Sequence, residues 1–478
     1  MQRLLLLSAS LILLCSAMKG QVYPASNFTL IGHIDPETGV NADGDKYSAC
    51  WGWFQSSKNK EYAIACSQSG TYWVDVSNPS TPTVCAYKAA VHASATWREA
   101  KTYLHYCYVI SDDAGTNSFQ IFDMQYLPDS VHKVLDNKSL FSRGHTLWVD
   151  GDKLYVASVT YSNSSYSSMN VYSLTNPENP VLLRSLSQDY PFINRVHDMF
   201  VRRDTIFASC EYQGLFVFRL SSTYTFTQLG SLASYTASGY NHSSALSTNG
   251  KTLVFTDEVP NGLPIKVANV TNLSNIQVLS TINQYPQTTP HNPFIVNDQY
   301  CFMSSYQDGL QLFDISTPSV PLLAGYFDTY PQGGGNNNSW ADAYNGQWGA
   351  YPFFPSKNIF ALDQLNGIFM LRTSLYGGAI TSLQHEDGGN NFDWSIFPNP
   401  STGSLLFHLP AADTDLISKL VISDVQGNLV LEYHKDDMIK ESVSYRRIYL
   451  PPLAQGVYFL QVYSWDKLLG TKKLIISN

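Results

Sequence analysis

The fold is decided by the stretch YCFMSSYQDGLQLFDISTPSVP, residues 300–321, which reads as a strand, a Gly-containing turn, a second apolar strand and a Pro-rich exit. The same unit recurs at intervals of about 45 residues. Its other copies cover residues 62–82, 106–124, 154–180, 206–220, 253–272 and 359–372. One such unit cannot bury both faces of its small sheet, whereas seven sheets packed face to face in a ring can. The repeat therefore predicts an all-β chain built on a seven-bladed β-propeller.

The ring also has to be closed. The seventh copy is not followed by a strand that resembles VPLLAGYFD, residues 320–328, at the end of the sixth copy. FTLIGHID, residues 28–35, does resemble it. Because an unpaired strand edge is a liability, we predict that residues 28–35 complete the last blade and that the propeller spans residues 21–373.

The first twenty residues have a different character. Residues 1–20 contain Arg3, an apolar run and Gly20 ahead of Gln21, which is typical of a secretory signal peptide. This pattern predicts cleavage before Gln21, and cleavage after Ala17 is the alternative. No later window approaches about 18 consecutive apolar residues, so no transmembrane segment is predicted.

The last hundred residues also depart from the repeat. Residues 374–393 are rich in Gly and Asn without periodicity, which predicts a linker. Residues 394–478 alternate apolar and polar side chains between turn signals, and this pattern predicts a small Ig-like β-sandwich.

Composition and charge exclude several functions. The 478 residues are 44% hydrophobic and only 14% charged, which excludes a disordered chain and a coiled coil. The 29 Lys and Arg residues are outnumbered by 38 Asp and Glu residues, for a net charge of −9. Because such a chain repels polyanions, nucleic acids are poor partners.

Cysteine usage offers one disulfide hypothesis. Cys50 and Cys66 lie symmetrically about Lys58 in a predicted hairpin, which would set them opposite each other at a separation that a disulfide can span. The alternative is a pair of buried thiols.

The C-terminal region resembles the type IX secretion sorting domain of Bacteroidota. The motifs that carry the resemblance are FPNPSTG (397–403), VISDVQGNLV (421–430), LPPLAQGVYFLQV (450–462) and KKLIIS (472–477). The resemblance implies that the type IX secretion machinery is a partner of residues 394–478. It also implies export, with the protein either attached to the cell surface or released.

The repeats themselves are similar to LVIVD-repeat proteins of the choice-of-anchor B group. VDVSNPSTP, GHTLWVDGDKLYVAS and PHNPFIVNDQYCFMSSYQDGLQLFDIS are among the segments that carry this resemblance. Two copies lack the NPxxP element and have LPDS and SSTY instead. The resemblance implies a propeller at the cell surface and leaves the activity open.

Candidate functional residues come from positions that correspond between copies. The start of the first strand carries His145, His197, His242 and His291 in copies three to six, Trp97 and Trp348 in copies two and seven, and Trp51 or Trp53 in the first. The first strand of a propeller blade lines the central channel, and the turn between its second and third strands lies on the same face. That turn carries Asp112, Asp113, Glu211, Asp257, Glu258, Tyr306, Asp308 and Asp363. We therefore predict a rim of imidazoles, indoles and carboxylates on one face.

Three interpretations of this rim stay open. Neutral imidazoles beside carboxylates are ligands for a divalent metal, with His242, His291 and Glu258 as the candidate set, and they also suit acid–base chemistry. Exposed aromatic rings suit sugars, with Trp97, Trp340, Trp348, Tyr306 and Tyr344 as candidates, and residues 330–352 form a long Gly- and Asn-rich insertion beside them. The third interpretation is a repeated structural device in which each His hydrogen-bonds a neighbouring blade.

Together these features predict an exported binding or interaction module for an unknown extracellular ligand, either a carbohydrate or a protein. The alternative is a metal-dependent hydrolase or lyase that uses His, Asp and Glu on the channel face. A purely structural surface protein is the third possibility. No serine-hydrolase elbow, phosphate loop or zinc-protease motif is present, so the sequence does not decide whether the protein is an enzyme.

Overall fold

The computed structural model describes most of the chain as β-strand. The described residues are 23–113, 117–283, 289–333, 344–376, 394–399, 401, 403–408, 417–424, 429–441, 445–464 and 467–477. The predicted signal peptide, residues 377–393 of the predicted linker, and Trp340 of the long insertion lie outside them.

Seven sheets form the N-terminal region, and we number them as blades 1 to 7 in chain order of their inner strands. From the inner to the outer strand, they are Tyr47–Gln55, Lys60–Ser67, Gly70–Asp75 and Thr83–Ala89 (blade 1); Arg98–Tyr103, Tyr106–Ser111, Phe119–Asp123 and His132–Asn137 (blade 2); Leu147–Asp150, Lys153–Thr160, Tyr166–Ser173 and Val181–Ser185 (blade 3); Asp198–Arg202, Thr205–Ser209, Leu215–Leu220 and Phe226–Leu232 (blade 4); Asn241–Leu246, Thr252–Asp257, Ile265–Asn269 and Gln277–Ile282 (blade 5); Pro293–Val296, Tyr300–Ser304, Leu310–Asp314 and Leu322–Phe327 (blade 6); and Gln347–Tyr351, Ile359–Asp363, Gly367–Thr373 and Phe28–Ile34 (blade 7).

The blades pack into a ring through seven separate apolar cores, one between each pair of neighbours. Between blades 1 and 2, for example, Ile64 and Trp73 meet Val109 and Phe122. The same arrangement joins blades 7 and 1, where Phe360 is part of the shared core. Middle strands are therefore covered on both faces, which explains why they read as continuous apolar runs rather than alternating ones. The predicted all-β propeller is confirmed.

The two ends of the propeller sequence meet in blades 6 and 7. Strand Phe28–Ile34 pairs antiparallel with Gly367–Thr373, so that Leu30 lies opposite Leu371. Two residues earlier in the chain, Ala25–Ser26 pairs with Leu322–Phe327 and adds a fifth strand to blade 6. The N-terminal segment therefore pairs with both blade 6 and blade 7. The sequence did not predict its pairing with blade 6.

The disulfide hypothesis needs correction. Cys50 and Cys66 are both buried free thiols. The ladder between the first two strands of blade 1 contains an irregularity after Tyr47, and Cys50 lies opposite Ala65 instead of Cys66. The thiols belong to different interblade cores, Cys50 between blades 7 and 1 and Cys66 between blades 1 and 2.

The C-terminal region forms two four-stranded sheets, as in a β-sandwich. Its strands are Ser395–Phe397, Ser404–His408, Lys419–Ser423, Leu429–His434, Ile439–Lys440, Tyr445–Tyr449, Gly456–Ser464 and Lys467–Ile476. Alternate residues such as Leu405 and Phe407 in one sheet, and Leu420 and Ile422 in the other, share one apolar core. The described helices are short: Leu186–Asp189 is α-helical, and Ser56–Lys58, Leu273–Asn275, Pro331–Gly333 and Lys435–Asp437 are 3₁₀-helices.

Candidate functional site

The predicted histidines gather at one end of the propeller channel, which we call the channel mouth. One cavity there is lined by Trp97, Arg98, Glu99, His145, Thr146, His197, Asp198, His242, Glu258, His291, Asn292, Tyr306 and Trp348. His242 and Trp348 each sit in an irregularity where the inner strand has one extra residue relative to its partner. Such bulges re-aim a side chain, and here they occur at corresponding positions of blades 5 and 7.

The imidazoles form a continuous row across blades 3 to 6. Ring centroids of successive members are 4.2 Å apart for His145 and His197, 4.3 Å for His197 and His242, and 4.5 Å for His242 and His291. Nδ1 of His197 lies 3.2 Å from the backbone carbonyl of His242, and Nδ1 of His291 lies 2.6 Å from that of Trp348. A carbonyl only accepts, so both Nδ1 atoms must carry the hydrogen, and each Nε2 keeps its lone pair.

Burial decides the charge of this row. Desolvation lowers the pKa of His242 and of His291 to about 3. Desolvation, reinforced by the neighbouring histidines, holds the pKa of His197 well below its usual value. These three rings are therefore neutral at pH 7, the form in which imidazole acts as a ligand.

Glu258 is the carboxylate that faces the row. The Tyr306 hydroxyl donates to its Oε1 at 2.8 Å, and Oε2 lies 3.6 Å from Nε2 of His242. Ligand atoms of His197, His242 and Glu258 all lie within 4.8 Å of one another. The set predicted from sequence was His242, His291 and Glu258, so the structure replaces His291 by His197. His291 is instead packed between Tyr306 and Trp348, with ring centroids 4.7 and 4.8 Å away.

Two carboxylates predicted at the rim are elsewhere. Asp257 is fully buried within blade 5, where its Oδ2 pairs with Lys266 Nζ at 2.6 Å. Asp363 is also fully buried, and its Oδ1 accepts the backbone N–H groups of Leu365 and Asn366 at 2.9 Å. Burial raises the pKa of Asp363 to about 7. Both therefore support their own blades and do not face the channel mouth.

A charged network that sequence reasoning missed crosses the mouth. Arg195 Nη2 lies 3.1 Å from Asp112 Oδ2, and its Nε lies 3.1 Å from Glu211 Oε1. Tyr240 donates its hydroxyl to Glu211 Oε1 at 2.7 Å, and His145 Nδ1 lies 2.9 Å from Asp112 Oδ2. Arg195 lies two residues before His197, and Arg143 lies two residues before His145 in the preceding copy, so no sequence signal singled out Arg195.

Exposed aromatic rings lie at two places on the mouth. Trp97 is 44% exposed in blade 2, and Tyr212 is 69% exposed in the turn between the second and third strands of blade 4. Tyr212 contacts Tyr240, with ring centroids 5.4 Å apart. Of the other predicted sugar contacts, Tyr306 is buried, while Trp348 and Tyr344 are half-buried.

Deeper in the channel, a second cavity adjoins the mouth and shares Glu99 and Asp198 with it. Trp51 and Trp148 line it, and Lys101 lies over the Trp51 ring at 4.3 Å while pairing with Glu99. Burial raises the pKa of Asp198 to about 6. Trp51 was predicted at the rim, but it belongs to this inner cavity.

The propeller and the C-terminal β-sandwich together define the class of protein: an exported seven-bladed β-propeller followed by a sorting β-sandwich. Residues 395–477 match the family model of the secretion system C-terminal sorting domain, which directs export through the type IX system to the cell surface or extracellular space. Within the propeller, residues 62–86 and 295–329 match the LVIVD repeat. No curated protein matches the sequence. Among the described residues, the helices are all too short or too polar to cross a membrane.

Solved structures with a similar fold are distant from this chain. A putative 6-phosphogluconolactonase from Bacteroides uniformis is 14% identical, with 70% of this chain and 94% of that chain covered and a TM-score of 0.47. YCF48 bound to D1 peptide is 9% identical, with 73% and 97% covered and a TM-score of 0.48. PorZ of Porphyromonas gingivalis, a surface component of type IX secretion, is 12% identical, with 88% and 64% covered and a TM-score of 0.38. At these scores the resemblances carry no information on what this chain binds.

Proposed function

We propose that this protein is an exported binding module that recognises a carbohydrate at the channel mouth. One observation carries the proposal: the exposed rings of Trp97 and Tyr212 stand at two places on the mouth, in blades 2 and 4, and the network of Asp112, Arg195 and Glu211 runs between those blades. Propeller scaffolds hold such groups rigidly, so little order has to be gained when a ligand binds.

The chemistry of these groups suits a sugar. Flat aromatic rings bury an apolar sugar face at low cost in side-chain entropy, because they have few rotatable bonds. Carboxylates and a guanidinium offer acceptors and donors for hydroxyl groups, and hydrogen bonds to charged groups are stronger than neutral ones. The net charge of −9 argues against an anionic polysaccharide, so the expected ligand is neutral or carries amines.

The proposal is tested by glycan binding with the full chain. An array of neutral and amino oligosaccharides identifies the ligand, and calorimetry then compares wild type with Trp97→Ala and Tyr212→Ala. Each variant should weaken binding by at least about tenfold, which corresponds to about 1.4 kcal/mol. Tyr126→Ala is the matched control, because Tyr126 is an exposed aromatic residue that follows the third strand of blade 2, at the opposite end of the ring. Equal binding by all four proteins, or the absence of any bound glycan, would exclude this function.

A second candidate is a metal-dependent hydrolase or lyase, which is favoured by the grouping of His197, His242 and Glu258 within 4.8 Å. Such an enzyme needs an ion with an open coordination position for water or substrate. Chromogenic ester, phosphoester and glycoside substrates, assayed with added Zn²⁺, test it. Turnover that survives Glu258→Gln unchanged would count against this candidate.

A further inference from the structure

The inference starts from the contact between His145 and His197. Their Nε2 atoms lie 2.8 Å apart. The other nitrogen of each ring, Nδ1, already has a hydrogen-bond partner. Nδ1 of His197 must donate to the carbonyl of His242, because a carbonyl oxygen has no hydrogen to give. Nδ1 of His145 lies 2.9 Å from Asp112 Oδ2, an oxygen that already accepts from Arg195 Nη2 at 3.1 Å, so Nδ1 is the donor in this contact too.

The consequence is a conflict between lone pairs. With both hydrogens placed on Nδ1, two neutral imidazoles would point the lone pairs of their Nε2 atoms at each other across 2.8 Å. That arrangement is repulsive unless a cation is shared between the rings, either a proton or a metal ion. His242 adds a third ring beside them, 4.3 Å from the His197 ring, and its Nε2 lies 3.6 Å from Glu258 Oε2.

We propose that the channel mouth is a binding site for one divalent ion of the zinc type, held by His197, His242 and Glu258, which lie grouped together, and completed by His145, whose Nε2 lies 2.8 Å from that of His197. The ligand chemistry selects this class of ion. Three imidazoles and one carboxylate suit zinc and its transition-metal neighbours, whereas calcium and magnesium require mostly oxygen ligands.

The surroundings of these ligands resemble the outer shell of a metal site. Metal-binding histidines usually donate their second ring N–H to a carbonyl or a carboxylate, and His197 and His145 do so here. Glu258 has one oxygen occupied by the Tyr306 hydroxyl and keeps the other toward His242. The side chains are therefore oriented before any ion arrives.

The distances are compatible with closure around an ion. Ligands at about 2.0–2.1 Å from tetrahedral zinc are separated from one another by about 3.3 Å. The observed separations bracket this value, from 2.8 Å between His145 and His197 to at most 4.8 Å within the group of His197, His242 and Glu258. Binding should draw Glu258 inward and push the first two rings slightly apart.

The site is tested with Zn²⁺ alone, using the untagged full chain stripped of metal. Elemental analysis after dialysis should find one zinc per chain, and calorimetry should give a matching stoichiometry. Glu258→Gln and His242→Gln should each reduce zinc affinity by at least about 100-fold. Asp112→Asn, at a residue that orients His145 and is not itself a ligand, should reduce it by about 10- to 100-fold. His132→Gln is the matched control, because His132 is exposed on the outer strand of blade 2.

Several outcomes would overturn the site. A folded wild type that binds no zinc, or the same affinity in His132→Gln and Glu258→Gln, would show that the histidine row shares a proton instead. Because His242 is buried, a loss of zinc binding in His242→Gln alone would not be separated from a folding defect. The near-isosteric Glu258→Gln avoids this ambiguity, and circular dichroism of the metal-free variants checks that both are folded. Zinc and glycan are titrated separately, and Trp97 and Tyr212, which are proposed to contact the glycan, are not zinc ligands. Failure of the carbohydrate proposal and failure of the ion site can therefore be told apart.

Discussion

Asp257 and Glu258 are neighbours in sequence but belong to two regions with opposite demands. Asp257 points into blade 5, where it and Lys266 are fully buried as an ion pair. Glu258 points into the channel mouth, where one of its oxygens faces a neutral imidazole and no cation of the described chain pairs with it. The charge of Asp257 is neutralised within the blade and supports the fold, whereas the charge of Glu258 is left available, as expected for a binding site.

The largest effect should come from breaking the pair inside the blade. Lys266→Met removes the cation and leaves the Asp257 carboxylate buried, with only the hydroxyl of Tyr235 and one backbone N–H beside it. We expect a loss of about 3–5 kcal/mol in the free energy of unfolding, measured by urea denaturation of the full chain. Lys60→Met is the control, because the Lys60 side chain is 38% exposed in its pair with Asp75 whereas Lys266 is fully buried, and its cost should stay below about 1 kcal/mol. Equal costs in the two variants would contradict the comparison.

A second effect inside a blade should depend on pH. Burial raises the pKa of Asp363 to about 7, far above its value in an unfolded chain. The folded state therefore keeps this proton to higher pH than the unfolded state does. Its contribution to stability is present below about pH 4 and is lost as the pH rises toward 7, by at most about 4 kcal/mol.

Asp363→Asn should remove this loss, because the amide can still accept from Leu365 and Asn366 and can donate to the Thr329 hydroxyl. The difference in unfolding free energy between variant and wild type, measured from pH 4.5 to 7.5, should grow with pH in favour of the variant. Asp314→Asn is the control of opposite sign. Burial alone would raise the pKa of Asp314, but hydrogen bonds from Ser316 outweigh it and lower the pKa, so this variant should lose stability at neutral pH. If the difference in unfolding free energy between Asp363→Asn and wild type does not change with pH, the raised pKa of Asp363 is contradicted.

The blades and the channel mouth also differ in how much of them the sequence predicts. The repeat predicted the seven sheets, and the shared position of His145, His197, His242 and His291 predicted one row on one face, because inner strands of all blades begin at the same end. The prediction placed both Asp257 and Glu258 in the turn, because the sequence does not show that the second strand of blade 5 ends at Asp257, opposite Asn241, and that only Glu258 lies beyond it.

Other features escaped for related reasons. The pairing of Ala25–Ser26 with blade 6 involves only two residues, too few for a periodic pattern. Arg195 lies in the connection that leads into blade 4, and Arg143 holds the same place before His145, so the sequence did not show which of the two would pair with Asp112 and Glu211. Cys50 missed its predicted partner because the hairpin is centred between Ser57 and Lys58 and not on Lys58, so that the uninterrupted register from Gln55 opposite Lys60 sets Cys50 opposite Ala65.

The smallest effect on stability should come from the mouth. In metal-free buffer, Glu258→Gln should change the free energy of unfolding by less than about 1 kcal/mol. The amide keeps an oxygen that accepts from Tyr306, and its NH₂ can donate to Nε2 of His242, so the local contacts survive while the charge is lost. Urea denaturation beside Lys266→Met measures this directly. Had the mouth been built to support the fold, both variants would be destabilised alike; a neutral Glu258→Gln instead means that the carboxylate is held in place for something other than folding.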